Sequence, residues 1–219
     1  MTPTEIETKA RRLLNAVGSK FWSSAEIIED YIYAAALELA QESYCIENRY
    51  QTTSVASQEE YSCPSYKIAI KRVEYIQSTS RYKLKNIDHR QFDSLSFNTD
   101  TAATGIPQYY VEFDEIIKVY PTPNTSGDTI KILTYDIPQP IIATNILQIP
   151  TRYHQYLVQG VAYHMSLKEL GHPNTSRFEG LWQLGIQRAR KLEKRRRRGD
   201  SFRIVLREED TPSSFLGQL

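Results

Sequence analysis

The sequence predicts an α+β protein: an antiparallel helical bundle of two N-terminal and two C-terminal helices, an inserted antiparallel β-module and an extended C-terminal arm. Three observations predict it. Apolar residues recur at helical spacing up to about Tyr44 and again after Pro150; alternating, turn-punctuated runs lie between; the segment after Gly199 fits neither pattern. Neither terminal helix pair has enough apolar surface to bury alone, so the two pairs are expected to pack together. The expected division is 1–47 with 151–198 for the bundle, 48–150 for the β-module and 199–219 for the arm.

The first helix begins at Thr2-Pro3-Thr4-Glu5, a hydroxyl cap with proline at the first helical position and glutamate at the third. Ile6, Ala10, Leu13, Leu14 and Val17 form its apolar stripe, and Gly18 is its expected stop. Ser23 and Glu26 form a second capping box with Trp22 and Ile27 as staple, and Ile28, Ile32, Ala35 and Leu39 carry that helix to about Tyr44. Its expected length is roughly 30 Å at 1.5 Å per residue.

Strands follow. Tyr66 to Ile76 begins as an alternating run, Ser78-Thr79-Ser80 turns, and Arg81 to Leu84 returns. Asp88 can cap a short helix reaching Leu95. Gln108–Phe113 and Ile116–Tyr120 flank a hairpin at Asp114-Glu115, ended by Pro121 and Pro123. Thr129 to Tyr135 is another strand, stopped at Pro138 and Pro140. After Pro150, Thr151 can cap a helix marked by Tyr153, Leu157, Val161, His164 and Met165. Asn174 or Ser176 can cap the last one, with Phe178, Leu181, Gly185, Ala189 and Leu192 on one face. That helix runs into Lys194-Arg195-Arg196-Arg197-Arg198 and ends at Gly199.

Composition limits the function classes. With 219 residues, 40% hydrophobic and 24% charged, the chain can hold a core without staples. Its two cysteines, Cys45 and Cys63, exclude a disulfide framework and a four-thiolate metal site, and are read as small apolar residues. No apolar run is long enough to span a bilayer, and the polar, acidic start is unlike a signal peptide, so a reducing cytoplasm is the expected place of synthesis. Net charge is only +1, but Arg188 to Arg198 holds eight Lys/Arg against Glu193, a local +7 that leaves −6 elsewhere. Such asymmetry suits one surface facing a polyanion and another facing a neutral or basic partner.

No catalytic constellation stands out. His89, His154, His164 and His172 have no metal-ligand spacing, and Gly-x-Ser-x-Gly, Walker and Gly-x-Gly-x-x-Gly motifs are missing, so no metal or cofactor is expected. The pairs Glu59-Glu60 and Glu208-Glu209 read as solvated loops, and an enzyme centred on Asp88-His89 is the weakest alternative. The 15 tyrosines suit strands first and interfaces second. Lys194, Arg195, Arg196, Arg197 and Arg198 suit the negative end of their helix dipole, and also a sequence-blind phosphate contact. The final stretch combines Phe202, Ile204 and Leu206 with Glu208-Glu209-Asp210 and an apolar end at Phe215, Leu216 and Leu219. Such a mixture suits a segment that orders on a partner.

Three motifs in order carry a family resemblance over residues 1–198. The first is Phe21-Trp22-Ser23 leading to Glu26-Ile27-Ile28, Ile32 and Ala36 through Ala40. The second is Gly105-Ile106-Pro107-Gln108-Tyr109-Tyr110-Val111 followed by Val119-Tyr120-Pro121-Thr122-Pro123. The third is Ile149-Pro150 before Tyr153-His154 and Leu157-Val158. With these, the chain resembles the head-to-tail adaptor, or connector, proteins of tailed bacteriophages, departing at Tyr33, where such proteins often carry Asn.

The resemblance implies a non-enzymatic virion protein at the head–tail junction, assembled in the bacterial cytoplasm. It would form a ring, commonly dodecameric in the family, beneath the portal protein. That ring extends the DNA channel, helps retain packaged double-stranded DNA and offers a docking surface to tail and nozzle proteins. On this chain, Ser201 to Leu219 would be the portal-docking arm, with Phe202, Ile204, Leu206, Phe215, Leu216 and Leu219 as its apolar contacts, and the β-module would face the tail. Lys194 to Arg198 would meet either channel DNA or an acidic partner. The competing expectation is a sequence-independent nucleic-acid-binding protein that uses the same basic run.

Overall fold

The computed structural model describes residues 1–96, 103–144, 146–169 and 172–198, with side chains up to Arg197. Helix α1 (Pro3–Leu13) starts as predicted: the Glu5 amide donates to the Thr2 hydroxyl, and the Thr2 amide donates to the Glu5 carboxylate. It stops at Leu13 rather than at Gly18, because Asn15 takes a positive φ of 53° and turns the chain early. Val17 is therefore exposed, and Leu13 also points to solvent, while Ile6, Ala10 and Leu14 are buried.

Helix α2 (Ser24–Glu26) passes through a π-helical stretch (Ile27–Ile32) into α3 (Tyr33–Ser43). The Ser23 hydroxyl caps it by accepting from the Glu26 amide at 3.1 Å. The reciprocal half of the expected box is not made, since the Glu26 carboxylate accepts from Tyr31 and Lys168 instead. Tyr44, with a φ of 56°, ends α3 in the left-handed region and sends the chain toward the sheets.

Two four-stranded sheets follow. The first holds β1 (Glu47–Thr53), β10 (Thr129–Asp136), β3 (Lys67–Gln77) and β4 (Ser80–Lys83), in that spatial order and antiparallel throughout. The second holds β2 (Glu60–Ser62), β8 (Ile116–Tyr120), β7 (Tyr109–Phe113) and β5 (Lys85–Asn86). A two-stranded pair joins β6 (Thr104–Gly105) to β9 (Thr122–Pro123).

The β-module is not wholly antiparallel, because β5 pairs with β7, and β6 with β9, in parallel. For β5 the cause is a crossing. Leu84 alone separates β4 in one sheet from β5 in the other, and its buried side chain lies between them with Tyr61, Tyr75, Tyr110, Ile117, Ile130 and Ile132. A strand that arrives by crossing between sheets is free of the hairpin's antiparallel constraint. Helix α4 (His89–Ser96) sits beside this crossing, capped by Asp88 as expected, with the Gln91 amide 2.8 Å from its carboxylate.

The chain enters the sheets through β1 and leaves through β10. These strands are direct neighbours, with Glu47 opposite Tyr135 and the Asp136 amide donating to the Ile46 carbonyl at 3.1 Å. A 3-10 turn (Thr151–Tyr153) then opens α5 (His154–Lys168), with no side-chain cap from Thr151. After it comes α6 (Thr175–Arg198).

Helix α5 packs on α1, α3 and α6, so residues from both ends of the chain share one core. It comes close to α6 at Gly160, where an added Cβ would lie 2.8 Å from the Trp182 ring. Trp182 is fully buried and its indole N–H donates to Glu38 on α3 at 2.8 Å. The inward face of α6 is therefore Phe178, Trp182, Ile186, Ala189 and Glu193, while the expected Leu181 and Leu192 face outward.

Candidate functional site

The expected basic contact lies where α6 ends, and it is built around an acid. Glu193, with zero exposure, accepts from Arg152 at 2.5 Å and from the Tyr153 hydroxyl at 2.7 Å through one oxygen. Its other oxygen accepts from Arg196 Nε at 2.8 Å. Burial by itself would raise the Glu193 pKa, but the hydrogen bonds from Tyr153, Arg152 and Arg196 outweigh it and hold the carboxyl below its ordinary value. Tyr153 is pushed up to about 12, first by burial and then by the carboxylate it donates to.

The next residues of the run reach across to the first sheet. Arg196 donates to Glu47 on β1 at 2.5 Å, and Lys71 on β3 donates to the same oxygen at 2.9 Å. Arg197 donates to the Ser43 carbonyl at 2.6 Å, supplying a partner and positive charge to the C-terminus of α3. Its guanidinium also lies 5.3 Å from the Tyr44 ring centroid and 5.0 Å from that of Tyr135. Arg196 and Arg197 thus bind the last helix to the start of β1 and the end of β10.

Lys194 and Arg195 behave differently. Both are exposed, and among the described residues neither has an ion-pair partner. They stand where the chain leaves α6 toward residues 199–219. The expected docking residues Phe202, Ile204, Leu206, Phe215, Leu216 and Leu219 lie outside the described residues, as does the Arg198 side chain. Beside this end, a cleft of about 410 Å3 opens between Arg152 and Arg196, with Glu47, Asn48 and Gln148 on its walls.

Three placements have little or no signature in the sequence. Glu193 reads in sequence as the lone acid of a basic run, and only its i+3 spacing to Arg196 hints at a pair. Arg152 and β1 leave no comparable signal: Glu47 to Thr53 is polar, and alternates between exposed and half-buried rather than exposed and buried.

The remaining candidates are structural in their contacts. Asp88 caps α4, and the His89 ring packs edge-on against Phe113 with centroids 4.3 Å apart. His154 accepts from the N-terminal ammonium at Nδ1 and donates from Nε2 to the Ile149 carbonyl, at 2.9 and 2.8 Å. Burial, with the ammonium adding to it, lowers its pKa. Cys45 and Cys63 are buried free thiols, and burial raises Cys63 to about 11. Among the described residues, no three His, Cys, Asp or Glu side chains converge in a way that could hold a metal, and no helix is long and apolar enough to cross a membrane.

The three sequence motifs occupy connected places. Phe21 and Trp22 pack edge to face at 4.8 Å, ahead of the Ser23 cap. The two halves of the second motif are paired strands, with Tyr109 opposite Tyr120 and Gly105 opposite Pro123. The third is tied by the bond from His154 to Ile149. The family model for the SU10 adaptor protein matches residues 1–205, so it takes in all three motifs and both helical ends. The chain belongs to the SU10 adaptor protein family. It is a phage adaptor, a structural class rather than an enzyme class, whose association is with portal and tail proteins and whose place is the virion. No curated protein matches the adaptor.

Proposed function

We propose that this adaptor assembles as a ring beneath the portal, extends the DNA channel, helps retain the packaged genome and gives tail proteins their docking surface. The observation that carries the reading is the family match over residues 1–205. The chain divides for this work into a helical bundle (1–47 with 151–198), a β-module (48–150) turned toward the tail, and an arm (199–219) that docks on the portal through Phe202, Ile204, Leu206, Phe215, Leu216 and Leu219. The separate helical and sheet cores, together with the paired strands β1 and β10 at the crossing point, support this division.

Within the basic run the work is shared. Arg196 and Arg197 brace the bundle against the sheet, so Lys194 and Arg195 carry the outward contact with channel DNA or with an acidic portal rim. A contact of that kind is directed at phosphate or carboxylate charge and is blind to sequence. Mixing the full chain with purified portal rings and weighing the products by native mass spectrometry tests the reading: a discrete portal–adaptor ring is the expected product. Free subunits that ignore the portal and bind linear DNA in a salt-sensitive manner would instead establish the nucleic-acid-binding alternative.

A further inference from the structure

The two sheets present outer faces of opposite charge. In the first sheet Val73, Tyr75, Ile130 and Ile132 point into the core between the sheets, so the residues alternating with them point outward. The paired rows on that outer face are Arg49–Leu133–Arg72 and Gln51–Lys131–Glu74–Lys83, with Arg81 opposite Ile76 on the β4 edge. Arg72 is paired with Glu74, but Arg49, Arg81, Lys83 and Lys131 have no ion-pair partner among the described residues, and all but the half-buried Lys131 are exposed. In the second sheet Tyr61, Ile117 and Val119 point inward, which turns Glu60 and Lys118 outward. Phe92 of α4 covers the end of that face near Tyr109 and Tyr120. The other end stays open, with Phe113 36% exposed beside the Asp114-Glu115 hairpin. There Glu59, Glu60 and Glu112 share Lys118 and Lys67, while the carboxylates of Asp114 and Glu115 are exposed and without an ion pair among the described residues.

We propose that the cationic outer face of the first sheet seats the acidic hairpin end of a second copy of this chain, so that β-modules join head to tail. Within one chain the two surfaces lie on opposite sides of the sheet pair, so they cannot meet each other there. For the same reason two copies cannot satisfy both contacts as a two-fold dimer. Each copy instead leaves one surface open for the next, and such a heterologous contact closes into a ring when its rotation allows. The contact deepens the ring proposed above and rests on that reading for its closure, not for its charges. A protein surface suits the sheet face better than DNA does. Glu74 stands in the middle of the cations, between Lys131 and Lys83, only 9% exposed and with one carboxylate oxygen lacking a hydrogen-bond partner. A fixed negative charge there repels phosphate, whereas the hairpin end carries Lys118 among its acids and so matches a face of mixed sign.

Two double variants of the full chain and their combination test the contact: Arg49→Glu with Arg81→Glu on the sheet face, Asp114→Asn with Glu115→Lys on the hairpin, and all four together. Self-association at millimolar protein and low salt is read by sedimentation velocity, and attachment to purified portal rings by native mass spectrometry. The wild type should associate, and should do so more weakly at 1 M salt, where the screening length falls to about 3 Å. Each double variant should associate at least about tenfold more weakly, because like charges then meet. The quadruple variant should regain most of that loss, which also shows that the substitutions leave the fold intact. Equal association in all four proteins, or a quadruple variant no better than the doubles, would overturn the contact. Loss of duplex DNA binding in the sheet-face variant with its association unchanged would assign that face to nucleic acid instead. A wild type that associates alone but ignores the portal removes the adaptor reading and leaves the contact standing; one that associates in neither setting removes both.

Discussion

The helical half and the sheet half solve the same packing problem with different materials. Around α5 the core is apolar and close: Gly160 admits the Trp182 ring, and Ala35, Ala36, Ala40, Ala162 and Ala189 keep the neighbouring helices near. Between the sheets the core is smaller and holds phenols, of which Tyr75, and Tyr50 at its edge, are tied to carboxylates. Tyr75 donates to Asp128 at 2.6 Å, and Tyr50 beside it donates to Asp136 at 2.5 Å. Asp136 also accepts from Asn48 and Thr134, so a nearly fully buried acid is fully engaged. The difference teaches that one half gains from shape and the other from satisfied polar contacts, and that the charge cluster at Glu193 joins two unlike materials.

The comparison breaks most sharply at Trp182. Trp182→Ala should destabilise the chain by about 3–5 kcal/mol, read as a lower urea midpoint, because it empties the groove over Gly160 and leaves Glu38 without its donor. Gly160→Ala should also destabilise, by about 1–3 kcal/mol, since the ring must retreat from a Cβ placed 2.8 Å away. An unchanged midpoint for both would mean the helical core does not depend on that approach.

At the join, Glu193→Ala should cost about 2 kcal/mol by the same measurement. This is less than for a fully enclosed ion pair, because Arg152 and Arg196 are half-exposed and can turn to water. In the sheets, Tyr75→Phe should cost about 1.5 kcal/mol, reflecting the lost bond to Asp128 with little change in packing. A larger loss there than at Trp182 would reverse the comparison.

Acid supplies the finest probe, and it acts on the helical half. Burial holds His154 and His164 below their ordinary value of 6.5, so the folded chain binds fewer protons than the unfolded one. Their contribution is therefore complete above about pH 6.5 and fades as pH falls through the lower folded values. The lowered Glu193 works in the same sense, below its ordinary 4.5. Urea midpoints should fall from neutral pH to about pH 5.5, and the fall should shrink in His154→Gln. A midpoint that rises on acidification would contradict the burial argument.

Much of the fold was legible because local signals coincide with the final structure. The Thr2 and Ser23 caps, the Asp88 cap and the hairpin at Asp114-Glu115 all lie where residue chemistry places them. The expected face of α6 holds at Phe178, Gly185 and Ala189, but leucine periodicity favours Leu181 and Leu192 where their neighbours Trp182 and Glu193 turn inward. Strand β1 carries no strand signal of its own because its polar residues gain their order from β10, more than seventy positions later. The candidate site was visible as a basic run but not as a division of labour, since the partners of Arg196 and Arg197 sit near residue 45.

By itself, the sequence determined where the capped helices and the apolar strands begin, which residues are apolar enough to build two cores, and that positive charge gathers at the end of α6. Those properties act through neighbours within a turn or two of chain. Only the tertiary structure decided which cations are committed and which are free. A buried carboxylate needs donors from whatever elements happen to meet it, and here those elements are the 3-10 turn at Thr151–Tyr153 and α6 itself, some forty residues apart.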